Sequence, residues 1–260
     1  MRPTAIRRTA VAATVMSLAL LTASCGSDTA DKGSGDKGKA DATASAKPAA
    51  AKALTAAELE KASLAQGDVK GHKITKAGPA DAVAAGDVTA DKAACDVFAD
   101  ALMGAKAGSP AASTQRKVMS EPKKGGDKDS ADPEKAFKAA FDITTTLATL
   151  SSYEGKGAEE TLTALRTAGT ECASGFTLKA AGAKQKVVKI TEEQVKGGED
   201  AAAWTVAIEA EGEKNTMKLA QVRQGGTVAS FSSFNLAAAS SGGDFELPTA
   251  VIDAQVAKLG

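Results

Sequence analysis

Apolar residues recur along this chain at three different spacings, and each spacing predicts a different kind of segment. Residues 9–24 contain no charge and mix small side chains with Val15, Met16, Leu18, Leu20 and Leu21. Residues 26–53 reverse the pattern, with no Leu, Ile, Val or aromatic residue that could contribute to a core. From Leu54 onward the apolar positions settle into helical or strand periodicity, so folded structure is expected over 54–260.

Thr55 followed by Glu58 is a capping-box pattern, predicting a helix of about eleven residues from Leu54 with its stop at Gly67. A short extended piece is expected over 69–76. The next helix is expected over 91–103, with Ala94, Cys95, Phe98, Ala101 and Leu102 at helical spacing and Gly104 beyond its end. A strand over 114–120 follows. The stretch 121–135 carries Pro122, Gly125, Gly126 and Pro133 among charges and reads as an exposed loop. The alternation Phe141, Ile143, Thr145, Leu147 predicts a long strand over 137–150. Ala158, Leu162, Leu165 and Cys172 then share one face of an amphipathic helix over 157–173.

The remainder is strand-like: 176–180, 186–195, 202–210 with Trp204, Val206 and Ile208 on one side, 216–223, and 227–236. Gly197-Gly198, Glu211-Gly212 and Gly225-Gly226 supply turns. Runs joined by such short links must be antiparallel, because a parallel return needs a crossover of a dozen or more residues. A last helix is expected over 248–259, with Val251, Ile252, Val256 and Leu259 inward and Pro248 suited to its first turn. The expected class is α+β, an antiparallel sheet packed with helices in one domain.

Composition changes two parts of this picture. Aromatic residues are only 3% of the chain, so the core must be built from Ala, Val, Leu and Ile, which gain less per residue on burial. Arg2, Arg7 and Arg8 precede residue 9 with no acidic residue before Cys25, which leaves the remainder with a net charge of about −3. Lysines and carboxylates are interspersed, whereas nucleic-acid binding calls for a clustered basic face, so no nucleic-acid partner is expected.

The arginines followed by an uncharged run have the form of an export signal, 1–24. The sixteen residues from Thr9 to Ser24 are fewer than the roughly 20 that span a bilayer as a helix. Ala23-Ser24-Cys25 would serve ordinary signal cleavage, and Leu21-Thr22-Ala23-Ser24-Cys25 also resembles a bacterial lipobox. That resemblance implies cleavage before Cys25, lipid on its sulfur, and a location on the outer face of the membrane. Two or more acyl chains suffice for stable anchoring. Residues 25–53 then read as a disordered tether, its 28 residues after the cysteine spanning about 30 Å as a flexible coil.

Assigning Cys25 to lipid leaves two of the three cysteines, Cys95 and Cys172. In an oxidising compartment these have only each other, and a disulfide is expected. A zinc site would need more ligands than two thiolates and a distant His72, and a redox pair usually takes the form Cys-x-x-Cys.

Candidate chemistry is sparse. The only histidine, His72, lies in a polar segment and reads as solvated rather than as a triad base. No phosphate loop, zinc helix or kinase signature occurs. Glu159-Glu160 and Glu192-Glu193 are expected on solvated faces. Asp127, Asp129, Asp132 and Glu134 invite a calcium reading, but Ala131, Asp132 and Lys138 stand where an EF-hand needs a ligand, a glycine and a glutamate. Trp204 and Tyr153 could line a cleft, although a tryptophan at strand spacing more often belongs to a core. No catalytic residue, metal or cofactor is assigned, and no ligand-binding residue is named.

The helix ending in Gly67-Asp68-Val69, the Lys92-Ala93-Ala94-Cys95 segment, the strand and helix ending in Cys172, Gly198-Glu199-Asp200-Ala201, and Val222-Arg223-Gln224-Gly225-Gly226-Thr227-Val228 follow one another in a recognisable order. In this order residues 54–260 resemble the PknH-like extracellular sensor domains of actinobacteria. Those occur at the outer end of some mycobacterial receptor kinases and as free lipoproteins. The resemblance implies an antiparallel sheet packed with helices, a cleft, and non-catalytic binding of an extracellular ligand. The chain departs from the kinase sensors in lacking kinase and transmembrane segments and in having cysteines for one disulfide instead of two. Two functions are therefore expected ahead of any enzyme: a ligand-binding or sensor-like lipoprotein, or a structural or interaction module of the cell envelope. The expected partners are the membrane, through the lipid, and a small ligand or an envelope protein.

Overall fold

A computed structural model describes residues 52–83, 86–122 and 132–260. The expected leader, Cys25 and the tether as far as residue 51 lie outside the described residues, as do Asp127 and Asp129.

In chain order the elements are α1 (Ala56–Ala62), β1 (His72–Lys76), β2 (Val88–Ala90), a 3-10 turn (Ala93–Cys95), α2 (Asp96–Leu102), β3 (Ala112–Ser120), α3 (Pro133–Ala140), β4 (Thr144–Ser152), α4 (Gly157–Glu171), β5 (Phe176–Ala180), β6 (Ala183–Glu193), β7 (Asp200–Ala210), β8 (Glu213–Gln224), β9 (Thr227–Asn235), α5 (Leu236–Ser241) and α6 (Thr249–Leu259). Among the described residues nine strands form one antiparallel sheet in the order β1-β3-β4-β9-β8-β7-β6-β5-β2. This is the expected α+β class with one disulfide, Cys95 to Cys172.

Each face of the sheet has its own core. On one face, Phe98 and Leu102 of α2 and Leu162 and Leu165 of α4 pack on Leu178, Val187, Trp204 and Leu219. On the other, Leu59 of α1 and Val251 and Ile252 of α6 pack on Val118, Leu150, Val222 and Phe231. A sheet covered on both faces does not need the alternation that marks a half-exposed one. β9 is accordingly buried at every position but Phe234.

The largest departure from the expected elements lies before β4. The strand expected over 137–150 begins only at Thr144, and residues 137–140 belong to α3. Pro133 suits the first turn of that helix, and the backbone N–H of Lys135 donates to Asp132 Oδ1. The alternating residues Phe141 and Ile143 fall in the link, while β4 itself is buried without a break from Ala148 to Ser152.

The first helix shows its capping box, the Glu58 N–H donating to Thr55 Oγ1 and the Thr55 N–H to Glu58 Oε2. It stops at Ala62, short of Gly67, because a residue distant in sequence ends it. Gln255 of α6 accepts from the Leu64 N–H at 3.1 Å and donates Nε2 to the Ala62 carbonyl at 2.8 Å. The helix expected over 91–103 divides into the 3-10 turn and α2, with Ala94 exposed instead of inward. β2 and α5 have no counterpart among the expected elements. α5 is capped by Asn235, whose side chain accepts from the Ala238 N–H, and ends at Gly242 in the left-handed region at φ +62°.

Candidate functional site

Cys95 closes the 3-10 turn and Cys172 follows the last residue of α4, with their Cα atoms 6.0 Å apart. Both are fully buried, so the bridge belongs to the core between α2, α4 and the sheet.

Beside the bridge lies an open depression of about 340 Å³, lined by Asp91 and Lys92 on one side and by Ser174 to Thr177 and Lys186 to Val188 on the other. Its walls are the chain just before Cys95 and just after Cys172. They are stitched together by three further bonds. Lys92 Nζ donates to the Gly175 carbonyl at 2.9 Å, the Asp91 N–H to the Thr177 carbonyl at 2.9 Å, and the Thr177 N–H to Asp91 Oδ1 at 3.0 Å. Gly175 sits at φ +99°, and a Cβ there would collide with the Val187 carbonyl, so only glycine lets this segment approach β6 so closely. Val187 also begins the irregular register between β6 and β7. Phe176 and Val187 are buried behind the depression, and the side chains of Lys92 and Lys186 stand exposed at its rim.

A second depression, of about 370 Å³, is lined only by Lys156, Glu159, Glu160, Thr163 and Ala164 at the start of α4. Glu159 and Glu160 are exposed there, as expected of a solvated pair. Glu192 is exposed too, but Glu193 is not simply solvated. Its carboxylate receives Lys218 Nζ at 2.6 Å and the Thr205 hydroxyl. The buried Lys218 is the functional-group position that sequence periodicity missed, since a lysine in a strand reads as solvent-facing.

Trp204 and Tyr153 belong to the core, each only 3% exposed. The Trp204 ring meets Phe98 edge to face at 5.3 Å, and Tyr153 donates its hydroxyl to the Ala107 carbonyl at 2.6 Å. Neither lines the depression beside the disulfide. His72 is half-exposed with Nδ1 3.0 Å from the Lys70 carbonyl. Among the described residues, no group of three or more His, Cys, Asp or Glu side chains is placed to hold a metal ion. No helix among them is long and apolar enough to cross a membrane.

Two carboxyls depart strongly from their ordinary behaviour. Burial pushes Asp100 of α2 up to about 6, with Asp96 on the same helix adding to the shift. Glu60 moves the other way, to about 2, held by hydrogen bonds from Arg116, Lys76 and Thr114.

No protein-family model matches this chain, and no curated protein sequence does. Among solved structures the chain is similar to the extracellular domain of PknH from Mycobacterium tuberculosis, at 11% sequence identity and a TM-score of 0.44, over 80% of this chain and 95% of that one.

Proposed function

We propose that the chain is an extracytoplasmic module, held to the membrane by lipid on Cys25, whose disulfide-pinned domain binds a small ligand without transforming it. The observation that carries the binding reading is the depression between the Asp91-Lys92 and Ser174–Thr177 segments. Its volume of about 340 Å³ is of the size that small-molecule sites occupy. Its two walls are fixed by a covalent bridge and three hydrogen bonds, which is the preorganisation that lowers the cost of binding. The ammonium groups of Lys92 and Lys186 at the rim favour an acidic ligand. Binding in place of chemistry is favoured by the commitments of the two charged groups on the first wall. Lys92 is engaged on Gly175 and Asp91 on Thr177, holding the walls together.

Two experiments test the two halves. Metabolic labelling with a fatty-acid probe should mark the wild-type chain and not Cys25→Ala; equal labelling of both, or of neither, contradicts the anchor. A low-molecular-weight extract of the producing cells' envelope should shift the amide resonances of Lys92, Gly175 and Thr177. An extract that leaves them unmoved contradicts the site.

The interaction-module reading is favoured by a different observation. Phe141 and Leu236 are 40% and 42% exposed, and their segments meet where the Leu236 N–H donates to the Ile143 carbonyl. Two exposed apolar residues on segments that meet in this way suit contact with another protein.

A further inference from the structure

β8 places Lys218 on the face where the residues two and four positions on, Ala220 and Val222, are core. The lysine is 2% exposed. Its Nζ lies 2.6 Å from Glu193 Oε1 of β6, 2.6 Å from Thr205 Oγ1 of β7 and 3.0 Å from Asp244 Oδ1 in the link between α5 and α6. The ring of Phe245 stands 5.8 Å from the same nitrogen. Thr205 is directly opposite Lys218 in the register, and Ser233 flanks it on the other strand, so a polar row crosses an otherwise apolar face. The link that brings Asp244 here is itself held down, with Thr216 Oγ1 donating to the Gly243 carbonyl at 3.0 Å and the Gly243 N–H to the Ala238 carbonyl at 2.9 Å.

Such an arrangement is costly as an ion pair, because the ammonium has been taken out of water. It is well arranged for condensation. An amine and a carboxyl are held in contact, a second carboxylate touches the amine, and an aromatic ring covers it. We propose that Lys218 and Asp244 become joined by an intramolecular amide, with Glu193 relaying protons. The Lys218 ammonium passes a proton to Glu193, and the free amine attacks the Asp244 carboxyl carbon. The C–N bond forms and one C–O bond breaks. Two of the three ammonium protons travel through Glu193 to the departing oxygen, which leaves as water, and Glu193 ends as it began. The reactants carry no net charge and neither does the product, and no further reagent is required. In free solution amide formation from an acid and an amine is disfavoured by bulk water. Groups fixed in contact gain effective concentrations on the order of 10⁵ M or more, which offsets this. The product would fasten the link before α6 to the middle of the sheet. This inference is independent of the depression beside the disulfide.

The test is the mass of the chain purified from its own envelope, reduced and denatured, followed by a tryptic map. The expected result is a loss of one water, located in a branched fragment joining residues 215–223 to residues 224–258, with no cleavage after Lys218. Lys218→Met should recover the water. Glu193→Gln should recover it as well while keeping the circular dichroism of the wild type, which separates loss of the relay from loss of folding. A wild-type chain with separate fragments at their full sequence masses overturns the proposal. So does a water loss that persists in Lys218→Met, which would place the dehydration within Asp244 and its neighbour alone.

Discussion

Cys95 and Cys172 are joined across 77 positions of sequence, and the bond ties the turn that opens α2 to the end of α4. Lys92 and Gly175, one just before the first cysteine and the other just after the second, are held 2.9 Å apart on the side of the bridge where the depression opens. The cross-link thus fixes a core packing and the width of a surface feature together.

A loop of 77 residues, closed in the unfolded chain, stabilises the fold by about 4 kcal/mol in the chain-entropy account. The double substitution Cys95→Ser with Cys172→Ser should therefore lower the thermal midpoint by roughly 10 °C for a domain of this size. Differential scanning calorimetry under oxidising conditions checks this, and a reductant should move the wild type toward the variant.

Gly169 of α4 lies against Trp204, and a Cβ at that position would stand 2.8 Å from the indole Nε1. Indole and helix can both be buried here only because the residue is glycine. Gly169→Ala should cost about 1–3 kcal/mol, the range for overpacking a core, despite alanine's better helix propensity. Trp204 is the only tryptophan, so its fluorescence reports the unfolding directly.

Both edge strands have backbone groups occupied by side chains. At β1, Gln66 accepts from the Ile74 N–H at 2.8 Å and donates to the His72 carbonyl at 3.1 Å, pairing with the strand as a neighbouring backbone would. At β2, Asp96 Oδ1 accepts from the Ala90 N–H at 2.8 Å. An edge with free N–H and C=O groups is a template for another chain. Gln66→Ala should increase self-association, read by sedimentation velocity as a larger sedimenting species whose share rises with concentration, while Gln66→Glu should leave the Ile74 bond in place.

Much of this architecture was legible in the sequence, and the illegible parts have physical causes. The strands that follow Cys172 were marked by glycine turns whose demands are local; Glu211 and Gly212 adopt φ of +53° and +85° as such a turn requires. The cysteine pair followed from counting. The end of α1 was hidden because Gln255, nearly two hundred residues away, determines it. The expected start of β4 is misplaced because the alternation Phe141, Ile143, Thr145, Leu147 runs back from the strand into the link before it, and α3 is a helix of only 8 residues. The depression beside the disulfide depends on backbone approach at Gly175 and Val187, which leaves no mark in residue type except the glycine.

Asp100 gives stability a pH dependence of uncommon sign. Its carboxyl is raised from its ordinary 3.8 to about 6, chiefly by burial, so the folded state favours the protonated form. That contribution is complete below about pH 4 and is lost as pH rises through 6. Asp100→Asn, which keeps the side chain neutral, should match the wild type near pH 4 and exceed it at pH 7 by about 2 kcal/mol, the full shift being reduced by solvent screening at this half-buried site, measured by urea denaturation. Glu60, lowered to about 2, acts in the opposite sense, its contribution being lost only in stronger acid.

The proposed function makes one central claim, that a small acidic ligand binds beside the Cys95 to Cys172 bridge. Native mass spectrometry of the chain purified from the cells that make it tests this most directly when wild type is compared with Lys186→Glu, which reverses a charge at the rim of the depression. The expected result is a reproducible low-mass adduct on the wild type that is absent from the variant, with both proteins folded and disulfide-bonded. A wild-type protein that is consistently bare, or an adduct that survives unchanged in Lys186→Glu, would contradict the claim.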